Sequence, residues 1–173
     1  AHAGYLLMGI AALTSEGIAS ILFYLVMYLF TNLTAFLVVM ILVNRTGEDE
    51  IPSYCGLWQR APLPAVVMAI ALISLTGLPP TAGFVGKLYL FIATWHSGLC
   101  WLVVVAVLNS VVSLYYYFRI VRAMFLETGP DTAISHQPVY ETVLVLLAAP
   151  ILLLMIFFGP VLRLAQYCAQ MLP

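Results

Sequence analysis

The stretch TGLPPTAGFVGK, residues 76–87, decides how the middle of this chain folds. Apolar runs long enough to be helical flank it on both sides. Proline inside a helix removes a hydrogen-bond donor and clashes with the preceding turn, which costs about 3 kcal/mol. We therefore predict a helical segment over about 62–96 that is broken at 77–81. The residues of this broken-helix motif are Gly77, Pro79, Pro80 and Gly83.

The composition is typical of a membrane protein. Of the 173 residues, 64% are apolar and only 8% are charged, and the mean hydropathy is +1.09. Soluble domains contain about 45–50% apolar and about 25% charged residues, so most of this surface must face lipid. The net charge of −1 excludes a polybasic nucleic-acid binder. We predict an all-α fold, a polytopic transmembrane helix bundle with one discontinuous helix.

Hydropathy divides the rest of the chain into further segments. Because a spanning helix needs about 20 apolar residues, the pattern predicts helices at about 1–13, 18–43, 99–126 and 139–158. Residues 160–172 fit an amphipathic tail in the membrane interface. The chain starts at Ala1 without Met or the basic region of a signal peptide. Its first segment resembles the second half of a spanning helix, so we expect a piece of a longer protein.

Arginines lie close to two polar loops, 44–60 and 127–138. The two other connections between predicted helices contain neither lysine nor arginine. By the positive-inside rule, we predict that both polar loops are cytoplasmic, or on the equivalent side of an organelle, and that the C-terminus lies opposite. The arginines concerned are Arg45, Arg60, Arg119 and Arg122.

A break at membrane depth points to transport. Unsatisfied backbone groups are costly in lipid, so broken helices persist where protein or water accepts the freed groups. Transporters place such breaks beside substrate and ion sites, and we expect a hydrated cavity here. The alternatives are a short re-entrant hairpin and two brief helices.

Lys87, the single lysine, lies about one turn beyond the break. An ionisable side chain inside a membrane segment costs about 2.5–3.5 kcal/mol and marks a pathway or a paired site. Lysine suits proton transfer better than arginine, because a desolvated ammonium can release its proton while a guanidinium stays charged. The alternative is a lysine whose ammonium extends to the membrane interface.

Polar side chains recur at helical spacing on the neighbouring segments. Such stripes can hold a file of water, or they can form interhelical hydrogen bonds that serve packing alone. His2 belongs to a residue type that titrates near neutrality and is a candidate relay, although a lone histidine is usually structural. The stripes are Tyr24, Tyr28, Thr31 and Asn32 on one helix, and Asn109, Ser113, Tyr116 and Tyr117 on another.

Other kinds of chemistry have no pattern in this sequence. Cys55, Cys100 and Cys168 show no CxxC spacing and have no nearby histidine pair, so we predict neither a disulfide framework nor a metal site. No phosphate-binding loop, dinucleotide fingerprint or Ser/His/Asp set occurs. We therefore expect this chain to bind no cofactor and to carry no redox centre.

Four stretches, in their order and spacing, resemble one known family. The chain is similar to the C-terminal portion of the N-type antiporter-like membrane subunit (subunit N, or subunit 2) of respiratory complex I, NADH:quinone oxidoreductase. The likeness covers about residues 1–126, and its most specific part is SLTGLPPTAGFVGK, because the M-type sister subunit has Glu where Lys87 stands. The stretches are AHAGYLLMG (1–9), YLVMYLFTNLTAF (24–36), LISLTGLPPTAGFVGKLYLF (72–91) and SVVSLYYYFRIV (110–121).

The resemblance implies inverted helical repeats, each with a broken helix, and a proton path along charged residues in the membrane arm. Lys87 matches the lysine of the second repeat, His2 the histidine of a SIAHAGY-like motif, and Tyr116 a tyrosine near the exit. The charged residues of the first repeat would lie upstream of this chain, so it is not expected to pump alone. The candidate proton path consists of Lys87, His2, Tyr116, Thr31, Asn32 and Ser113.

The resemblance further implies a membrane-arm subunit of a proton-pumping NADH:quinone oxidoreductase. NADH, FMN, iron–sulfur clusters and quinone would bind to partner subunits, and the partners would be other antiporter-like and small membrane-arm subunits. The expected location is the bacterial cytoplasmic membrane, or alternatively a thylakoid or mitochondrial inner membrane. The alternatives in function are a subunit of a multi-subunit cation/proton antiporter and a structural membrane scaffold in which Lys87 belongs to a fixed ion pair.

Overall fold

The computed structural model describes residues 1–48, 50–129 and 138–171. All regular structure within these ranges is helical, which confirms the prediction of an all-α bundle. In chain order the elements are α1 (His2–Ala11), α2 (Ser15–Thr46), a 3-10 turn (Ile51–Tyr54), α3 (Leu57–Arg60), α4 (Pro62–Thr76), α5 (Ala82–His96), α6 (Cys100–Leu126), α7 (Pro138–Ile156) and α8 (Phe158–Gln170).

The central element is α2, which contacts α1, α4, α5, α7 and α8. It has 32 residues and begins after Thr14, whose side chain accepts a hydrogen bond from the Gly17 N–H at 3.0 Å. The predicted helix over 18–43 is shorter, because hydropathy does not register this N-terminal cap. Among the described residues, α2, α6 and α7 are long and apolar enough to cross a membrane.

The predicted interruption lies between α4 and α5, where 77–81 are not helical. Each half has 15 residues, a length of about 22 Å, which is less than the roughly 30 Å of a bilayer core. The last turn of α4 lies beside the first turn of α5, since the Gly83 N–H donates to the Ser74 hydroxyl at 3.2 Å. The two halves therefore form one interrupted unit.

The last helix, α8, packs into the bundle. Its Ala165 is buried in one cluster with Phe23 and Met27 of α2 and Val85 of α5. The structure thus differs from the interfacial tail predicted at 160–172, of which residue 172 lies outside the described part. The physical reason is that the buried residues of α8, Ala165 and Ala169, are small and allow close packing against α2.

The segment between α2 and α4 contacts the C-terminal end of α6. The Gly56 N–H donates to the Ala123 carbonyl at 3.2 Å, and the rings of Trp58 and Phe125 stack at 5.5 Å. Both segments therefore lie at the same end of the bundle. Most of the polar loop predicted at 127–138 falls on residues 130–137, outside the described ranges.

Candidate functional site

The break begins with a tight helix end at Gly77. Its φ of 84° is left-handed, a conformation that favours glycine. The Gly77 N–H donates to the Ile73 and Ser74 carbonyls, each at 3.0 Å. A Cβ atom at Gly77 would lie 2.6 Å from Cδ of Lys87. The aliphatic part of the Lys87 side chain therefore packs directly against Gly77. Pro79 and Pro80 are exposed within the connection.

Lys87 is buried, with 4% of its surface exposed. Its ammonium donates to the Thr76 carbonyl at 2.8 Å and to the Ser110 hydroxyl at 3.5 Å, and it lies 4.4 Å from the centroid of the Tyr5 ring. The Thr76 carbonyl belongs to the C-terminal end of α4, which carries partial negative charge, and the aromatic face attracts a cation. Among the described residues, no carboxylate forms an ion pair with Lys87. Partial charges alone hold this ammonium.

Two hydroxyl groups extend the hydrogen-bond network from Lys87. The Tyr5 hydroxyl lies 2.6 Å from the Ser110 hydroxyl, and it donates to the Ala106 carbonyl at 3.1 Å. Neither Tyr5 nor Ser110 is among the candidate residues predicted from the sequence. A signal was present for both, because Tyr5 lies one helical turn after His2 and Ser110 adjoins the polar stripe at Asn109.

His2 bridges two helices beside this group. Its Nδ1 lies 2.7 Å from the Tyr24 hydroxyl of α2, and its Nε2 lies 3.1 Å from the Tyr117 hydroxyl of α6. A neutral imidazole donates through one ring nitrogen and accepts through the other, so His2 can link the two tyrosines. The rings of His2 and Tyr5 have centroids 6.1 Å apart, which places the two clusters side by side without a direct hydrogen bond.

The other residues of the predicted path lie apart from Lys87. Thr31 pairs with the Ser74 hydroxyl at 3.2 Å. On α6, the Tyr116 hydroxyl donates to Ser113 at 3.0 Å, and Ser113 is buried while Tyr116 is 39% exposed. Asn32 is half-buried on α2. The Ser113–Tyr116 pair adjoins the His2 group, because the Tyr116 and Tyr117 rings lie 4.6 Å apart. Thr31 and Asn32 lie apart from this group, so the six candidates do not form one cluster.

A cavity of about 190 Å³ adjoins Lys87 between α5 and α6. The sequence predicts a hydrated cavity at this place, but the wall of the cavity is mainly apolar. The reason is register: α6 presents Val107, Val111 and Leu114 to the cavity, whereas Asn109 and Ser113 point elsewhere. Thr76, Lys87 and Ser110 are the polar residues of this wall.

Comparison with known proteins identifies the family. Residues 1–113 match the family described as "NADH:quinone oxidoreductase/Mrp antiporter, TM". The chain belongs to this family. The matched range of the NADH:quinone oxidoreductase/Mrp antiporter family includes the whole break, Lys87, His2 and Ser110.

One curated relative is "NADH-quinone oxidoreductase subunit N 2" of Sorangium cellulosum (strain So ce56). It is 48% identical over 166 residues, which cover 93% of this chain and 33% of the relative. The chain thus spans about a third of that relative's length. This similarity confirms the resemblance to subunit N.

Two solved structures show the same fold. A chain of respiratory complex I from Thermus thermophilus with bound NADH has a TM-score of 0.84 at 28% identity, and the match covers 99% of this chain and 38% of that one. A chain of the Mrp complex from Dietzia sp. DQ12-45-1b has a TM-score of 0.85 at 25% identity, covering 97% and 40%. Members of two kinds of membrane complex therefore share this helical arrangement.

Proposed function

We propose that this chain is the C-terminal part of a membrane-arm subunit of a proton-pumping NADH:quinone oxidoreductase, and that it contributes the second half of a proton path through Lys87. The observation that carries the proposal is the environment of Lys87. Its ammonium is buried at a helix break and held by a carbonyl, a hydroxyl and an aromatic ring. The 48% identity to a protein named as subunit N supports the choice of complex.

The proposed chemistry is gain and loss of a proton at the Lys87 amine. Among the described residues, Lys87 forms no ion pair with a carboxylate. Its deprotonation therefore leaves no buried carboxylate without a partner. The Ser110 and Tyr5 hydroxyls are the next groups that can exchange hydrogen bonds with the amine. His2 would relay between Tyr24 and Tyr117.

Three further residues complete the proposed path at its periphery. Ser113 and Tyr116 form a hydroxyl pair at 3.0 Å, and the partial exposure of Tyr116 suits a position near an exit. Asn32 lies half-buried next to Thr31 on α2. Water between these groups and the Lys87 cluster would be required to connect them.

The redox chemistry of the proposed complex belongs to other subunits. NADH, FMN, iron–sulfur clusters and quinone would bind there, and electron transfer would drive the proton steps in this chain. Other antiporter-like and small membrane-arm subunits would be the protein partners, within a lipid bilayer and without nucleic acid. The bacterial cytoplasmic membrane is the proposed location, supported by the bacterial source of the relatives.

A second candidate function is that of a subunit in a multi-subunit cation/proton antiporter. The similarity to a chain of the Dietzia Mrp complex favours it. The two candidates predict different partners: NADH dehydrogenase subunits in one case and only other antiporter subunits in the other. Gentle purification of the full-length protein, followed by mass spectrometry of its partners, separates them.

Substitution of Lys87 tests the proposed path. In the assembled enzyme, Lys87→Ala removes the titrating group, so the number of protons translocated per electron should fall strongly. Lys87→Arg keeps the charge but does not release its proton, so it should resemble Lys87→Ala. Proteoliposomes with NADH and a quinone give both quantities, and Arg45→Ala, which removes an exposed positive charge, is the control.

A structural scaffold predicts the opposite order. In that case Lys87→Arg would be nearly normal, whereas Lys87→Ala would disturb assembly. Normal pumping by the arginine variant would therefore overturn the proton path through Lys87.

A further inference from the structure

Three helices meet at the hydroxyl of Ser74, in the last turn of α4. Its oxygen accepts the N–H of Gly83 at the start of α5 at 3.2 Å, and it lies 3.2 Å from the Thr31 hydroxyl of α2. Thr31 and Ser74 are each 2% exposed. This cluster lies beside the break and makes no hydrogen bond to Lys87 in the described structure.

The donors and acceptors give this cluster one direction. When the Thr31 hydroxyl donates its single proton to the Met27 carbonyl at 2.8 Å, the Ser74 hydroxyl is the donor in the 3.2 Å contact with Thr31. The chain of hydrogen bonds therefore runs from the Gly83 N–H through Ser74 and Thr31 to the Met27 carbonyl. Both of its ends are backbone groups, which do not exchange protons in transport. The cluster is closed, and it does not suit a proton relay.

The cluster does suit a fixed joint. The first N–H groups of a helix have no partner within that helix, and Thr81, which precedes α5, uses its hydroxyl on the Leu78 carbonyl at 2.6 Å. Ser74 therefore satisfies a donor of α5 from a different helix. The Thr31 hydroxyl ties the same point to α2.

This joint and Lys87 lie on the same interface. Gly83 and Lys87 are four residues apart on α5 and so share one face. Opposite them on α4 lie Ser74 and Thr76, the partners of Gly83 and Lys87 respectively. A shift of α4 against α5 that broke the first contact would also move the Thr76 carbonyl away from the ammonium.

We propose that Ser74 and Thr31 are positioning residues for Lys87. They hold the C-terminal end of α4 against α5 and α2, and this keeps the Thr76 carbonyl at hydrogen-bond distance from the amine. Thr31 accordingly acts through geometry and carries no proton itself. The inference rests on the proposed function of Lys87 and deepens it.

The test uses the full-length subunit in its assembled enzyme. Thr31→Val and Ser74→Ala should each lower the rate of proton translocation by roughly three- to tenfold, the factor that corresponds to the free energy of one buried hydrogen bond. Thr31→Ser should restore translocation, and the double variant should be no worse than Ser74→Ala, because both changes open the same joint. Thr34→Val is the matched control, since Thr34 is fully buried on α2 and its hydroxyl, within the described part of the chain, bonds only to the Phe30 carbonyl of its own helix.

Two translocation results would overturn the inference. If Thr31→Val stops translocation as completely as Lys87→Ala, then Thr31 is a relay. If Thr31→Val and Ser74→Ala both match Thr34→Val, then the joint does not position the lysine. Should Ser74→Ala fail to assemble, Thr31→Val compared with Thr31→Ser decides alone.

A structural measurement separates this inference from the proposed function. Electron cryo-microscopy of the Thr31→Val enzyme should show the Lys87 Nζ to Thr76 oxygen distance increased beyond 3.5 Å, from 2.8 Å. An unchanged distance contradicts positioning even if Lys87 conducts protons. A lengthened distance together with normal pumping by Lys87→Ala would instead support the joint and contradict the proton path.

Discussion

At the scale of single residues, Lys87 differs from most buried cations because its partners carry only partial charges. A buried carboxylate partner would bind the ammonium proton firmly, and breaking such a pair is strongly destabilising. A helix C-terminus, a hydroxyl and a ring stabilise the ammonium with less charge. The amine can therefore change protonation state without leaving an opposite buried charge, which is what a transfer site requires.

Outside the membrane-spanning helices, Cys55 offers a pH-dependent prediction. Its thiol donates to Glu127 Oε2 at 3.4 Å. Burial raises the pKa of the Cys55 thiol, and the hydrogen bond to the Glu127 carboxylate and its negative charge raise that pKa further. Because only the thiolate is alkylated, iodoacetamide should modify Cys55 slowly at pH 8, and the rate should rise as pH increases through the raised pKa.

Removing the carboxylate should reverse part of this effect. Glu127→Gln lowers the pKa of Cys55 towards its ordinary value, so alkylation at pH 8 should become several-fold faster. The measurement uses the assembled enzyme with Cys100 and Cys168 replaced by serine, and Glu48→Gln, an exposed change elsewhere, is the control. Equal rates for Glu127→Gln and its parent would contradict the role of Glu127.

Single residues differ in how well sequence predicts their roles. Lys87 and His2 are ionisable groups within apolar segments, so their cost in lipid alone singles them out. The partners Tyr5 and Ser110 are 105 positions apart, and their contact depends on the register between α1 and α6. Hydropathy carries no information about that register.

At the scale of elements, the two halves of the broken helix depend on Gly83. A Cβ atom at this position would collide with the Ser74 carbonyl oxygen and lie 2.7 Å from the Ser74 hydroxyl. Gly83→Ala should therefore separate α4 from α5 and destabilise the protein by about 1–3 kcal/mol, as overpacking does. Proton translocation should fall as well, because the Thr76 carbonyl moves with α4. Thermal unfolding and translocation by the assembled enzyme measure the two effects.

The matched control for this prediction is Gly159→Ala. Gly159 is the second residue of α8, as Gly83 is of α5, and a Cβ atom there would meet nothing within 4 Å. Both changes gain similar helix propensity, so the difference between them isolates the collision with Ser74. Equal stability of the two variants would show that the close packing at Gly83 is unimportant.

Most of the helices and the break between α4 and α5 can be predicted from the sequence. Glycine and proline chemistry predicts the break at 77–81, and apolar runs predict the long helices. The packing of α8 against α2 is not predicted from the sequence, because the pair Gly159–Pro160 also suits the start of a new surface segment. Only contacts made by Ala165 with α2 distinguish a packed helix from an interfacial one, and such contacts depend on tertiary structure.

At the scale of the whole molecule, α7 and α8 together run antiparallel to α2. Leu144 of α7 packs in one cluster with Leu42, near the end of α2. Gln170 of α8 lines the same pocket as Ser15, at the start of α2. The C-terminal end of α8 therefore lies at the end of the bundle opposite to Thr46. The segment 51–60 and the C-terminal end of α6 lie at the same end as Thr46.

The two ends of the bundle can be assigned to the two sides of the membrane. Arginines concentrate at the end that holds 51–60, so this end should be cytoplasmic. In a background without native cysteines, a membrane-impermeant maleimide added outside intact cells should label Met171→Cys. Glu48→Cys, and Pro130→Cys in the loop outside the described residues, should react only after permeabilisation. The reverse pattern would overturn the arginine argument, whereas labelling of Glu48→Cys and Met171→Cys from one side would contradict the antiparallel path of α2 and α8.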